Sequence, residues 1–93
     1  MSAEQIAIAG VRAMMVEHAA QCGETQLAAR VGGANNWQEL REAMQAFGDA
    51  EFSDRWANIL DDRETHFAAL SEAREANAER TLDAIRQILS YSI

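Results

Sequence analysis

Two pairs of residues in this chain stand at a spacing that suits metal ligation. His18 and Cys22 are four apart, and so are Asp62 and His66. On a helix that spacing brings both side chains over one turn, within reach of one ion. The sequence nevertheless holds no CxxC, no HExxH and no ExxH pair of the di-iron bundle kind. Two such i, i+4 coincidences are what chance supplies in an acidic helical chain. No metal and no cofactor is therefore expected. On this reading Cys22 is a small buried hydrophobe, and His18 lies at a helix C-terminus where the dipole favours its charge. His66 then pairs with Asp62 on a helix surface.

Asp61, Asp62 and Glu64 form the densest carboxylate cluster. General acid–base work needs carboxyl groups whose surroundings push their pKa values apart, usually in a cleft. Neighbouring positions on a helix point about 100° apart, so this cluster reads as a solvated face. There is no GxSxG and no glycine loop followed by Lys-Ser or Lys-Thr. No catalytic residue is expected, and the chain is read as a non-enzyme.

The segment Thr25-Gln26-Leu27-Ala28-Ala29-Arg30-Val31-Gly32 resembles the second helix and turn of phage-repressor-type DNA-binding domains, in which an alanine precedes the turn glycine by four. Ala28 and Gly32 match that spacing. The resemblance covers eight residues and implies a helix-turn-helix regulator that reads DNA with Gly33 to Arg41. The pattern then wants apolar residues about six and nine positions after the glycine, where this chain has Gln38 and Arg41. Asn35, Asn36 and Gln38 suit base edges, but Arg41 is the segment's one cation. Such readers draw much of their affinity from phosphate contacts. DNA binding is thus the alternative reading, beside a purely structural homo-oligomer.

Four aromatic residues, Trp37, Phe47, Phe52 and Trp56, bracket Gly48, and Asp49, Glu51 and Asp54 lie among them. Aromatic side chains dominate both cores and interface hot spots. Core is the simpler reading of the four rings. As a surface, they would form a partner-binding groove whose acidic rim steers in a basic protein. These seven residues are the candidate partner site.

Composition narrows the field further. The 93 residues carry a net charge of −7, and all eight cations are arginine. Nucleic acid and anionic membrane both demand positive charge, so neither is an expected partner. Another protein with a basic surface is. Abundant alanine without lysine suggests a GC-rich bacterial or phage genome. One cysteine permits no internal disulfide, and no run resembles a signal peptide or a membrane span, so the expected location is the cytoplasm.

The elements that must position these residues follow from glycine and proline. The chain has no proline, and its last glycine is Gly48, so Asp49 to Ile93 are free of both. Glycine disfavours a helix by about 1 kcal/mol and proline by about 3 kcal/mol relative to alanine. Ser2-Ala3-Glu4-Gln5 predicts a capping box opening a helix from Ala3 to Cys22. In that helix Ile8, Val11, Met15 and Ala19 make one apolar face, and Ile6, Ala9, Ala13, Val16 and Ala20 make a second. Two apolar faces suit a central helix or one shared between subunits. Gly10 lies within the pattern, as a site of close helix approach or a tolerated cost.

Gly23 is placed as the left-handed residue after this helix, and Thr25 to Val31 as a short second helix. A third starts at Asn36 as N-cap, with Glu39 at N3 and Trp37, Leu40, Met44 and Phe47 on one face. Gly48 is expected to end it in left-handed conformation. Asp49 or Ser53 then caps a last helix. Its apolar set (Phe52, Trp56, Ile59, Leu60, Phe67, Leu70) gives way to a polar waist from Ser71 to Arg80. The set resumes with Leu82, Ile85, Ile88 and Leu89. Either one helix runs from Ser53 to Tyr91, about 57 Å at 1.5 Å per residue, or the chain turns near Asn77 into a hairpin. Good helix formers throughout the waist favour the single helix.

The expected fold is thus one all-α domain over residues 1–93: a small bundle of about four helices with a long C-terminal helix. A helix that long cannot bury both ends in one small chain, which predicts a homodimer. The expected function is that of an acidic protein–protein interaction module of bacterial or phage type, as inhibitors, immunity proteins, anti-activators and small chaperones are.

Overall fold

Ser2 starts the helical course as expected, its hydroxyl oxygen accepting from the Gln5 amide at 3.1 Å. The computed structural model describes residues 2–91, and its regular elements are four α-helices: α1 Ala3–Gln21, α2 Thr25–Gly32, α3 Trp37–Phe47 and α4 Ala50–Tyr91. The chain is all-α.

The punctuation between helices is mostly local chemistry. Gly23 takes φ 73°, the left-handed conformation that a glycine adopts without a Cβ clash. Its N–H donates to the Ala20 carbonyl and that of Glu24 to the Ala19 carbonyl, the paired bonds of a Schellman motif. At α3, the Asn36 side chain accepts from the Glu39 amide at 2.8 Å. Glu39 returns the bond one residue earlier than a standard capping box, to the Asn35 amide. Asp49 caps α4 by accepting from the Phe52 amide at 2.8 Å, which selects it over Ser53.

Gly48 departs from expectation. It is extended (φ −82°, ψ 146°) and not left-handed. Its need for glycine is spatial: a Cβ there would stand 2.6 Å from the Met44 carbonyl oxygen and 3.2 Å from Phe52 Cδ1.

The core draws on all four helices. The first predicted face of α1, Ile8, Val11, Met15 and Ala19, is buried to the last residue. Leu27 and Val31 of α2, Trp37, Leu40 and Met44 of α3, and Phe52, Trp56 and Leu60 of α4 close over it. The second predicted face of α1 is covered only in part: Val16 packs against the core and Ala9 is half-buried, while Ala13 and Ala20 are exposed. Ile6 is 59% exposed, and Gly10 has open space above it. Polar ties fasten the same region: Arg12 donates to the Ala34 carbonyl at 2.9 Å, and the Trp37 indole N–H donates to Glu4 at 3.1 Å.

The hairpin alternative is overturned. α4 is one helix of 42 residues, about 62 Å long at 1.5 Å per residue. Residues 71–80 contain nothing that breaks a helix, and none breaks there. The molecule measures 70 × 23 × 16 Å with a radius of gyration of 19.5 Å, against about 12 Å for a compact chain of this length. The packed region, the head, comprises α1–α3 and the first half of α4. The rest of α4 projects from it as an arm.

Candidate functional site

Of the four aromatic residues flanking the α3–α4 turn, Phe52 and Trp56 meet, and three of the four are turned inward. Trp37, Phe52 and Trp56 are each 4% exposed and belong to the core. Trp56 donates its indole N–H to His18 Nδ1 at 2.9 Å. Phe52 stacks on the same imidazole, with ring centres 5.2 Å apart and planes 15° apart. Trp37 stacks on Phe67 from the other side of the head. Phe47 is half-buried, with the Arg30 guanidinium 5.2 Å above its ring. Asp49 is engaged at the α4 cap, while Glu51 and Asp54 are exposed. Of the seven candidate residues, then, Asp49, Glu51 and Asp54 are exposed, Phe47 is half-buried beneath Arg30, and three rings serve packing.

Sequence reasoning missed His18 as the hub of this cluster. An imidazole that accepts at Nδ1 while neutral carries its proton on Nε2, so α1 is tied to α4 by a bond that specifies one tautomer. The clue was available, since His18 shares α1's inner side with Met15 and Ala19. Cys22 is exposed and not buried, because the left-handed turn at Gly23 leaves the helix-terminal residue outside. His18 and Cys22 line one small recess of about 30 Å³ together with Asp49 and Phe52. Asp62 and His66 are exposed on α4, with His66 edge-on to Phe67. Among the described residues no three His, Cys, Asp or Glu side chains are grouped to hold a metal ion.

The carboxylate cluster on α4 is more than a solvated face. Arg41 of α3, its side chain 21% exposed, donates to Asp61 at 2.8 Å and to Glu64 at 2.5 Å. The hydrogen bond that Arg41 donates to Glu64, reinforced by the one to Asp61, raises the Arg41 pKa above its ordinary value. A raised arginine pKa gives a contribution fully present below the unfolded value and lost only above it, so neutral pH leaves this pairing intact. It also occupies the cation on which a DNA-reading α3 would depend. The outward residues of α3 are Gln38, Glu42 and Gln45, with Glu39 half-buried. A recess of about 540 Å³ between α2 and α3 is lined by one cation, Arg30, and two acids, Glu39 and Glu42.

The arm has a different character. Every residue from 68 to 91 is exposed. Leu82, Ile85, Ile88 and Leu89 are 52%, 46%, 65% and 59% exposed, and Tyr91 is 88% exposed. Leu82, Ile85 and Leu89 fall within about a 60° arc of the helix, one apolar stripe. Single exposed apolar residues need no explanation; a stripe of them along one side of a helix makes the arm a candidate surface. No helix among the described residues is long and apolar enough to cross a membrane. Charge divides along the same boundary. Residues 1–70 hold five arginines and eleven acids, a net −6; the remainder holds three arginines and four acids, a net −1. The chain matches no model of a known protein family, no curated protein and no solved structure.

Proposed function

We propose that this chain is a non-enzymatic protein–protein interaction module of the inhibitor, immunity, anti-activator or chaperone-like kind. One observation carries the reading: the molecule projects about 26 Å of helix beyond its own core with an apolar stripe along it, a surface that only another polypeptide covers in water. The acidic head supplies the second element of recognition. Glu51 and Asp54, exposed beside the α3–α4 turn, attract a partner with a basic rim and act chiefly on the association rate. The occupied Arg41 and the acids on α3 favour this reading over a DNA-binding one.

The test is affinity purification from the native host with the intact chain, followed by reconstitution with the retrieved protein. A stoichiometric complex is expected, whose association slows when Glu51 and Asp54 are both replaced by arginine and loses its dependence on salt. Retrieval of this chain alone would sink the proposal.

A further inference from the structure

We infer that the arm of α4 pairs antiparallel with the arm of a second copy, centred between Asp83 and Ala84. This deepens the interaction reading above by naming what covers the stripe. Three observations select the occupant and its direction.

The first is the register of the stripe. Ala78, Leu82, Ile85 and Leu89 alternate spacings of four and three, the pattern of a two-helix seam. Turned end for end about the 83–84 midpoint, the pattern falls on itself: Leu82 meets Ile85 of the other copy, and Ala78 meets Leu89. Large faces small at the ends and large faces large at the centre, so one arm is its own complement.

The second is charge. In this register the flanking positions that approach each other across an antiparallel seam are Glu79 and Arg86 of opposite copies, an attractive pair formed twice by symmetry. Glu79 and Arg86 are seven residues apart, beyond the three- and four-residue reach of helix neighbours, so within one chain they do not meet. Arg86 makes an exposed ion pair with Asp83 at 3.6 Å, a weak contact in water with which Glu79 of a second copy can compete.

The third is the position of the head. At 100° per residue the stripe points within about 50° of the direction in which Phe52, Trp56, Leu60 and Phe67 face the head. The side of α4 that a parallel partner would lie along is therefore already filled by α1–α3. Two heads of net −6 would also be forced together. Antiparallel pairing puts the heads at opposite ends. The available length fits: the head ends where Ser2 and Glu4 of α1 approach Leu70 and Arg74, and the antiparallel register sets Tyr91 opposite residue 76 of the other copy. As far as Tyr91, the last described residue, the arm lies clear of the other head.

Small-angle scattering with sedimentation equilibrium, on the purified full chain at several concentrations, tests this. The expected result is a dimer whose longest dimension rises from the single chain's 70 Å to roughly 110 Å, set by the arm overlap. Glu79→Arg and Arg86→Glu, each alone, should weaken the dimer about tenfold, and the double exchange should restore it. The helix content of each variant, followed by circular dichroism, shows that the fold persists. A monomer at every concentration, a dimer still near 70 Å long, or charge variants that leave the association constant unmoved would each overturn the pairing. These failures are separate from failure of the heterologous interaction. A monomer that captures a host protein loses only the pairing, and an intact dimer that captures nothing loses only the wider role.

Discussion

The two halves of α4 carry the same kinds of side chain at similar spacing and meet opposite fates. Phe52, Trp56 and Leu60 are at most 4% exposed, whereas Leu82, Ile85 and Leu89 are 46–59% exposed. Periodicity therefore decides which side of a helix is apolar and leaves open whether anything lies on that side. Cover is a matter of reach. With 19, 8 and 11 residues, α1, α2 and α3 extend at most about 28 Å, less than half the length of α4. The head shelters what it overlaps, and the remainder must find another chain or stay wet. Charge sharpens the contrast, since the sheltered half of the molecule is strongly acidic and the unsheltered arm is nearly neutral.

The strongest way to break this contrast is inside the head. Trp56→Ala removes a ring that fills the core, the donor to His18 Nδ1 and a neighbour of Phe52. A loss of about 3–5 kcal/mol is expected in urea unfolding, a large share of the 5–15 kcal/mol that holds a typical domain. A loss below about 1 kcal/mol would mean that the His18–Trp56 contact does not hold the head together.

Two glycines test the same boundary between filled and open space, with opposite signs. Gly48→Ala drives a Cβ against the Met44 carbonyl and Phe52, and should destabilise by about 1–3 kcal/mol because backbone on one side cannot yield. Gly10→Ala adds a methyl to the exposed outer side of α1, where nothing lies within 4 Å, and should stabilise by about 0.5–1 kcal/mol through helix propensity alone. Thermal melts of both variants decide this. Destabilisation by Gly10→Ala would place another helix against that face, the role its second apolar stripe suggested.

Much of the fold was legible because its signals are local. The caps at Ser2, Asn36 and Asp49, the turn at Gly23 and the inner face of α1 depend on residues within a turn or two of one another. The unbroken α4 was legible for the same reason, from a waist of helix formers. What escaped was backbone conformation at one turn and pairing between distant residues. The groups that crowd Gly48, the Met44 carbonyl and Phe52, are each four residues away, but residue types alone do not show the extended turn that brings both against it. Arg41 finds Asp61 and Glu64 across 20 and 23 positions of chain, and only the crossing of α3 over α4 joins them. The candidate groove failed to open for a related reason. Four rings around a turn suit a core and a binding surface equally; packing against His18 decides for the core at Phe52 and Trp56, and packing against Phe67 does so at Trp37.

The smallest expected effect is the most telling. Leu60→Ala should cost about 2–5 kcal/mol at any concentration, since Leu60 is fully buried. Leu82→Ala, measured in dilute solution, should change stability by no more than about 0.5 kcal/mol, because it removes a half-wet side chain and substitutes the best helix former. The same chemical deletion thus reads the cover over each half of one helix. Raising the protein concentration adds the decisive comparison. If a second arm lies on the stripe, the wild-type melt climbs with concentration while that of Leu82→Ala climbs less, since mass action stabilises only a chain that binds its like. Curves for the two that rise together would mean that Leu82 touches no partner, and that the arm's apolar side stays in water at these concentrations.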